Sequence, residues 1–525
     1  MKKILVEKDS YYDSVFLMLI GSEVKKVPGV REAVVAMGTE VNTELLREIG
    51  FASGQLDAAS PNDLVIAVEA KDEKSLQEAL GQVRELLTRK RSSRQGEEGY
   101  RPVSLDTALK MAPEANLLIV SVPGMYAARE AERALEKGLH VMLFSDNVGL
   151  EEEIRLKRRA AEKGLLMMGP DCGTAVVNGS PLCFANVLRR GAIGLVAASG
   201  TGLQEVSCCI DGLGQGISQA IGTGGRDLRP EVGGIMMLMG IEALKRDAGT
   251  EVIVVISKPP AEAVAERVIG ALEETGKPCV VHFIGHAGGG SAAPGGRTTG
   301  VHYAGNLEEA AGMAVAMLEG KPYRQRTFTV PEEQVRRLVE RESAGMARNQ
   351  RYLRGLYTGG TLADEALIVF ERELGRIYSN IQTKPELMLP DARRSTGNTI
   401  VDLGDDLFTR GRPHPMIDPT IRTERIDREA RDGQAAVLLL DCVLGYGSHE
   451  DPAGAMVQSI RRARQAAHRR KGHLAVVASV TGTEGDFQNF GQQKGKLEEA
   501  GCIVMPSNYQ AALLALAIVK EVAAR

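Results

Sequence analysis

The stretch Gly194-Leu195-Val196-Ala197-Ala198-Ser199-Gly200-Thr201-Gly202-Leu203-Gln204-Glu205-Val206 decides the fold. An apolar run suited to a buried strand breaks at Ser-Gly-Thr-Gly, and a helix-like segment follows at once with Leu203, Val206 and Ile210 on one face. This is a strand, a tight turn and a helix N-terminus. Free backbone N–H groups and the positive end of the helix dipole point out of such a turn, and small residues let an anion approach. The grammar repeats at Leu353-Arg354-Gly355-Leu356-Tyr357-Thr358-Gly359-Gly360-Thr361-Leu362-Ala363-Asp364-Glu365-Ala366-Leu367. Ser199, Gly200, Thr201 and Gly202, with Gly359, Gly360 and Thr361, are the candidate phosphate- or anion-binding residues.

Outward from these turns the chain alternates strand and helix. From Ser104, apolar segments at 116–122, 140–144 and 165–168 are separated by helical patterns at 127–137 and 150–163, which reads as a parallel Rossmann-like sheet without the usual opening strand and GxGxxG turn. Strands near 218–221, 252–257 and 279–284 follow the Ser199 turn, and strands at 435–441, 474–480 and 502–505 follow the Gly359 turn. Two flavodoxin-like sheets with equivalent first turns suggest an internal duplication. Residues 3–88 suit a ferredoxin-like α+β unit, residues 89–101 a linker and residues 331–350 a charged helical spacer. The expected fold is α/β throughout, with domains at 1–90, 104–190, 191–325 and 351–525.

With 525 residues the chain exceeds one core, and its 43% apolar and 25% charged residues are ordinary for a globular protein. Aromatics are 4% with no Trp, and Gly reaches 59, which fits an α/β enzyme rich in strand-to-helix turns. A net charge of −4 gives no reason for nucleic acid or anionic membrane as a partner. Seven scattered Cys without a CxxC pair suggest a reducing cytoplasm, and no segment has the pattern of a signal peptide or a spanning helix.

Strand ends in such sheets carry ligands, and two further clusters fall there, Gly445 to Pro452 and Ser479 to Asp486. The densest polar patch is Thr399 to Asp418. Asp405 or Asp406 in it could hold Mg2+, Arg410 or Arg412 could clamp an oxyanion, and His414 lies in a rigid Pro-His-Pro. His282, His286 and His302 close the first series; each could be a phosphoryl acceptor, a general base or a satisfied loop histidine.

Residues 116–320 resemble the α subunit of succinyl-CoA synthetase, on Met168-Gly169-Pro170-Asp171-Cys172-Gly173, Gly191 to Thr201, Gly222-Thr223-Gly224-Gly225-Arg226-Asp227 and Gly276-Lys277-Pro278-Cys279-Val280-Val281. The part after 350 resembles the second ligase domain of that superfamily. Asn398 to Asp418 and Gly445-Tyr446-Gly447 make the whole chain similar to FdrA-type proteins. The resemblance implies a truncated CoA-binding-type domain, two ligase domains, and two helix N-termini that grip a phosphohistidine. Two departures stand out. Ser257-Lys258-Pro259-Pro260 occupies the place of the superfamily's glutamate motif, and Gly300-Val301-His302-Tyr303-Ala304-Gly305 matches its histidine loop only loosely.

The resembling family also includes the large subunit of oxamate carbamoyltransferase, whose chemistry needs neither CoA nor a histidine nucleophile. On that resemblance the expected function is carbamoyl transfer between oxalurate and phosphate, giving oxamate and carbamoyl phosphate, in purine and allantoin breakdown. Arg410 and Arg412 would hold carboxylate or carbamoyl oxygens, and His414 or His302 would shuttle the proton. Mg2+ is the candidate cofactor, with CoA and nucleotide set aside. Two other subunits, a second copy, or both are the expected protein partners. The alternatives are an ADP- or GDP-forming acyl-CoA ligase and a non-catalytic anion- or nucleotide-binding scaffold.

Overall fold

A computed structural model describes all residues except 9, 11, 13, 95–101, 103, 286–299, 325, 410 and 411. Met1–Met111 with Asp406–Thr420 form one compact unit, and Ala112–Asp405 with Ile421–Arg525 form a second.

The first unit is built on an antiparallel sheet with Leu64–Ala70 in the centre and Lys2–Glu7 and Val30–Met37 at its edges. Its side chains alternate by face, as the period of two requires. Ile66 and Val68 pack with Leu17, Ile20, Leu80 and Val83 of the helices Ser14–Lys25 and Glu73–Arg94. Val65 and Ala67 meet Leu46, Phe51 and Leu56 on the other face. This is the expected ferredoxin-like α+β unit, with one correction. The helix Glu73–Arg94 runs through Arg89-Lys90-Arg91, where a linker is expected, because Lys and Arg are good helix formers and no Gly or Pro interrupts them.

The second unit holds three sheets. Leu117–Val120, His140–Leu143 and Met167–Met168 pair in parallel, the truncated Rossmann-like part. The next sheet has the spatial order Gly300–Tyr303, Pro278–Phe283, Val252–Ser257, Arg190–Ala198, Ile217–Gly222, all parallel. Tyr378–Ser379, Thr399–Asp402, Tyr352–Tyr357, Ala435–Val443, Ala475–Thr481 and Ile503–Met505 form the last, also parallel. Counting from Arg190–Ala198 and Tyr352–Tyr357, both follow the flavodoxin order 2-1-3-4-5, with the short strand Tyr378–Ser379 added at one edge, so each places its ligand edge beside its first strand. Strands such as Val252–Ser257 and Ala435–Val443 are buried on both faces, which their unbroken Val, Ile and Leu runs demand.

One element escapes the sequence reading. Thr174–Val177 and Ser180–Cys183 form a hairpin whose first strand pairs antiparallel with Ile217–Gly222, extending the second sheet to seven strands. Its turn is Asn178-Gly179, with φ of 51° and 81°, the left-handed pair that hairpin turns favour. Among the described residues no helix is long and apolar enough to cross a membrane.

Candidate active site at two helix N-termini

The strand Arg190–Ala198 ends at Ser199, whose backbone is extended and whose Oγ accepts a hydrogen bond from Gly202 N at 3.1 Å. That cap starts the helix Gly200–Gly212. A Cβ on Gly202 would lie 2.3 Å from Ser199 Oγ and 2.9 Å from Thr361 Cγ2, so any larger residue would displace the two hydroxyl-bearing side chains. The second turn is capped differently. The strand Tyr352–Tyr357 leads into Thr358 and Gly359, and the Asp441 carboxylate at the end of the neighbouring strand accepts from Thr358 N at 3.0 Å and Gly359 N at 2.8 Å. Arg422 Nη2 donates to Asp441 Oδ1 at 2.8 Å and to Leu356 O at 3.1 Å, and the side chains of both Arg422 and Asp441 are buried. From this framework the helix Gly360–Leu374 begins.

The two helix ends meet. Ser199 Oγ lies 2.6 Å from Thr361 Oγ1, and a Cβ on Gly359 would stand 3.0 Å from Thr201 Cγ2. Each end carries about half a positive charge, so their apposition favours an anion. At the second helix the protein supplies carboxylates of its own. Asp441 holds the turn, and Asp402 Oδ2 lies 2.7 Å from where a Gly360 Cβ would be. At the first helix, Ser199 takes the N–H of Gly202, while no described residue accepts from Gly200 or Thr201 N–H. Beside Gly200 stands the hydroxyl of Thr174, buried and without a hydrogen-bond partner among the described residues. The first helix end is therefore the more open anion site of the pair.

Lys258 follows the strand Val252–Ser257, next to the Ser199 turn, and its Nζ reaches Asp364 Oδ2 on the second helix at 2.9 Å. Burial pushes the Asp402 carboxyl up to about 7, against the pull of Lys258 and of a hydrogen bond from Gly404 N. Burial likewise raises Asp364, opposed by Lys258.

All seven residues of the two turns are thus brought together. The other candidate residues are divided between the two units. Asp405 belongs to the second unit, whereas Asp406, Arg412 and His414 belong to the first, and Arg410 lies outside the described residues. His414 Nδ1 accepts from Met416 N at 3.2 Å, and desolvation lowers its pKa to about 4, so the ring is neutral at neutral pH. Among the described residues no group of three or more His, Cys, Asp or Glu gathers as a metal site. His302 is buried within the edge strand Gly300–Tyr303, both ring nitrogens lack a partner among the described residues, and desolvation lowers its pKa. His282 Nδ1 sits 2.9 Å from Ala304 O, and burial lowers its pKa to about 4; His286 lies outside the described residues. The two further polar clusters act as ties: Asp451 caps the helix Pro452–Arg469, and Asp486 accepts from Asn186 Nδ2, Val187 N and Thr483 N.

Comparison with known proteins gives three domain matches: an AllF heavy metal-associated domain over residues 1–102, a CoA binding domain over 189–285 and a CoA-ligase over 356–518. The chain is 44% identical over 517 residues to the uncharacterized protein YahF of Escherichia coli (strain K12), covering 98% of both chains. It is 25% identical over 190 residues to subunit alpha 2 of the ADP-forming succinate–CoA ligase of Archaeoglobus fulgidus, covering 35% of this chain and 62% of that one. The apo dinucleotide-forming acetyl-coenzyme A synthetase 1 of Ca. Korarchaeum cryptofilum overlays with a TM-score of 0.28 at 15% identity, covering 78% of this chain and 83% of that one. The domain matches and the succinate–CoA ligase relative overturn the expectation of carbamoyl transfer. The two matches that carry the paired turns are to CoA-ligase and CoA-binding models, and neither the carbamoyltransferase assignment nor the allantoin pathway finds support in them.

Proposed function

We propose that this chain, which belongs to the family of the YahF protein, is an acyl-CoA ligase of the ADP-forming succinate–CoA ligase type that grips a phosphoryl group at its paired helix ends. The observation that carries this reading is the contact between Ser199 Oγ and Thr361 Oγ1, one hydroxyl from each ligase-type sheet. Gly200 and Thr201 N–H, with the Thr174 hydroxyl, donate to phosphoryl oxygens, and the dipole of the helix Gly200–Gly212 offsets their charge. Lys258, directly after the strand that pairs beside Arg190–Ala198, supplies a cation that reaches Asp364 on the second helix.

Phosphate fits these residues; CoA fits fewer of them. The CoA binding domain match covers 189–285 and leaves out the sheet that starts at Leu117, which has no glycine-rich first turn and whose helix Gly124–Glu136 begins against the carbonyls of Asp146 and Asn147, acceptors where a diphosphate needs donors. No step is therefore assigned to CoA. A heavy metal has still less support in residues 1–102, which contain neither Cys nor His.

The test is to incubate the full chain with ATP, Mg2+, CoA and a panel of short carboxylic acids, following ADP release and thioester formation. Acid-dependent release of ADP supports the reading. Its absence with every acid, with and without CoA, ends it.

A further inference from the structure

The helix Asn508–Ala523 starts under both clamp helices. Ser507 caps it, accepting from Gln510 N at 3.2 Å while its Oγ donates to Glu308 Oε2 at 2.7 Å. Asn508 is fully buried. Its backbone N–H donates to Glu205 Oε1 at 2.9 Å, and Glu205 lies on the helix Gly200–Gly212, just under two turns beyond Ser199. Its side-chain Nδ2 donates to Glu365 Oε2 at 2.8 Å and to Leu362 O at 3.0 Å, both on the helix Gly360–Leu374. One residue therefore holds a carboxyl from each clamp helix. The remaining oxygens are also engaged: Glu205 Oε2 accepts from Thr481 Oγ1, and Glu365 Oε1 from Leu307 N at 2.9 Å.

We infer that Asn508 is a positioning residue that fixes the two phosphate-gripping helix N-termini in register with each other. Unpaired buried carboxyls are costly, so both helices are constrained to keep their distance to Asn508. The polypeptide offers the contact from one rigid helix start, so a shift of either clamp helix breaks a bond at a single point. The role in phosphate binding rests on the function proposed above; the coupling of the two helices does not.

Hydrogen exchange on the full chain tests it, with Asn508→Leu, which is close in size and has no side-chain donor. Exchange in the first turns of the helix Gly360–Leu374 is expected to rise about tenfold or more, the loss of one buried hydrogen bond to a carboxyl, while the helix Gly200–Gly212, held through the backbone N–H that leucine keeps, stays protected. A second variant, Asn508→Asp, keeps the size and the backbone N–H but presents an acceptor to Leu362 O and Glu365 Oε2 in place of the amide donor, and should speed exchange at the second helix likewise. Unchanged exchange at the second helix in both variants, or an equal rise over the whole chain, overturns the inference. Inorganic phosphate, titrated by thermal shift, separates this from the proposed function. If phosphate fails to stabilise the unmodified chain while exchange behaves as expected, the phosphate reading falls and the positioning role stands. If phosphate stabilises the unmodified chain but exchange at the second helix ignores Asn508→Leu, the reverse holds.

Discussion

Ser199 Oγ and Thr361 Oγ1 lie 2.6 Å apart across 162 residues of sequence, and both side chains are buried. Ser199 also caps its own helix through Gly202 N. Replacing it with Ala removes the cap and leaves the Thr361 hydroxyl without its partner, a loss of about 1–3 kcal/mol in urea unfolding. Thr361→Val removes only the cross-contact. A double-mutant cycle should return a coupling of about 0.5–1.5 kcal/mol; strict additivity would mean that the two hydroxyls do not hold each other.

Asp441 and Arg422 form a buried pair that organises the second turn. Asp441→Ala leaves the Arg422 guanidinium buried and strips the acceptor from Thr358 and Gly359 N–H. A cost of about 3–5 kcal/mol is expected, as for other broken buried pairs. Pairing Asp441→Ala with Arg422→Leu should recover part of it. Equal stability of the single and double variants would show that the stranded charge is not what costs energy.

The two turns were legible in the sequence because each is a local event: an apolar strand, small residues, and a helix face within thirteen to fifteen residues. The ferredoxin-like unit and the strand order followed from the same periodicities. What escaped was long-range. Asp441 reads as the end of a buried strand until its carboxylate is seen on Thr358 and Gly359, 83 and 82 residues away. Asn508 is an ordinary helix-start residue in sequence, and its partners are 303 and 143 residues distant. The hairpin at Thr174–Cys183 did have a local signal, Asn178-Gly179 between apolar residues. The acidic and basic patch at Asp405 to His414 drew attention through composition alone, and composition does not say which compact unit a loop joins.

Burial raises Asp402 from 3.8 to about 7 and Glu365 from 4.5 to about 8. Both carboxyls hold their proton more tightly when folded than unfolded. Their contribution to stability is therefore complete at low pH, below the ordinary carboxylate values, and is lost as pH rises through about 7 and 8. Asp402→Asn and Glu365→Gln each remove one such group. Each should flatten the fall of stability between the ordinary and the raised value, measured by urea unfolding across pH. A slope identical to that of the unmodified chain would place the proton elsewhere.

Lys258 supplies a different kind of control. Its side chain is 43% exposed and its ion pair with Asp364, at 2.9 Å, joins the end of an inner strand of one sheet to the helix of the next. Only the lysine end is half-exposed, and Asp364, 18% exposed, can take up a proton once the lysine is gone, so Lys258→Ala should cost little, about 1 kcal/mol, and unfold nearly as the unmodified chain does. Its charge matters more to its neighbours. Lys258 is the strongest influence holding down both Asp402 and Asp364 against burial. Without it, both carboxyls must titrate at higher pH, and Asp402, already near neutrality, would stay protonated against the N-terminus of the second helix. Carbon-detected NMR of the labelled carboxyls reads this directly. An upward move of the Asp402 midpoint in Lys258→Ala, with little change in melting temperature, is the expected result. A midpoint that stays in place would mean that the Lys258 charge is spent on Asp364 alone.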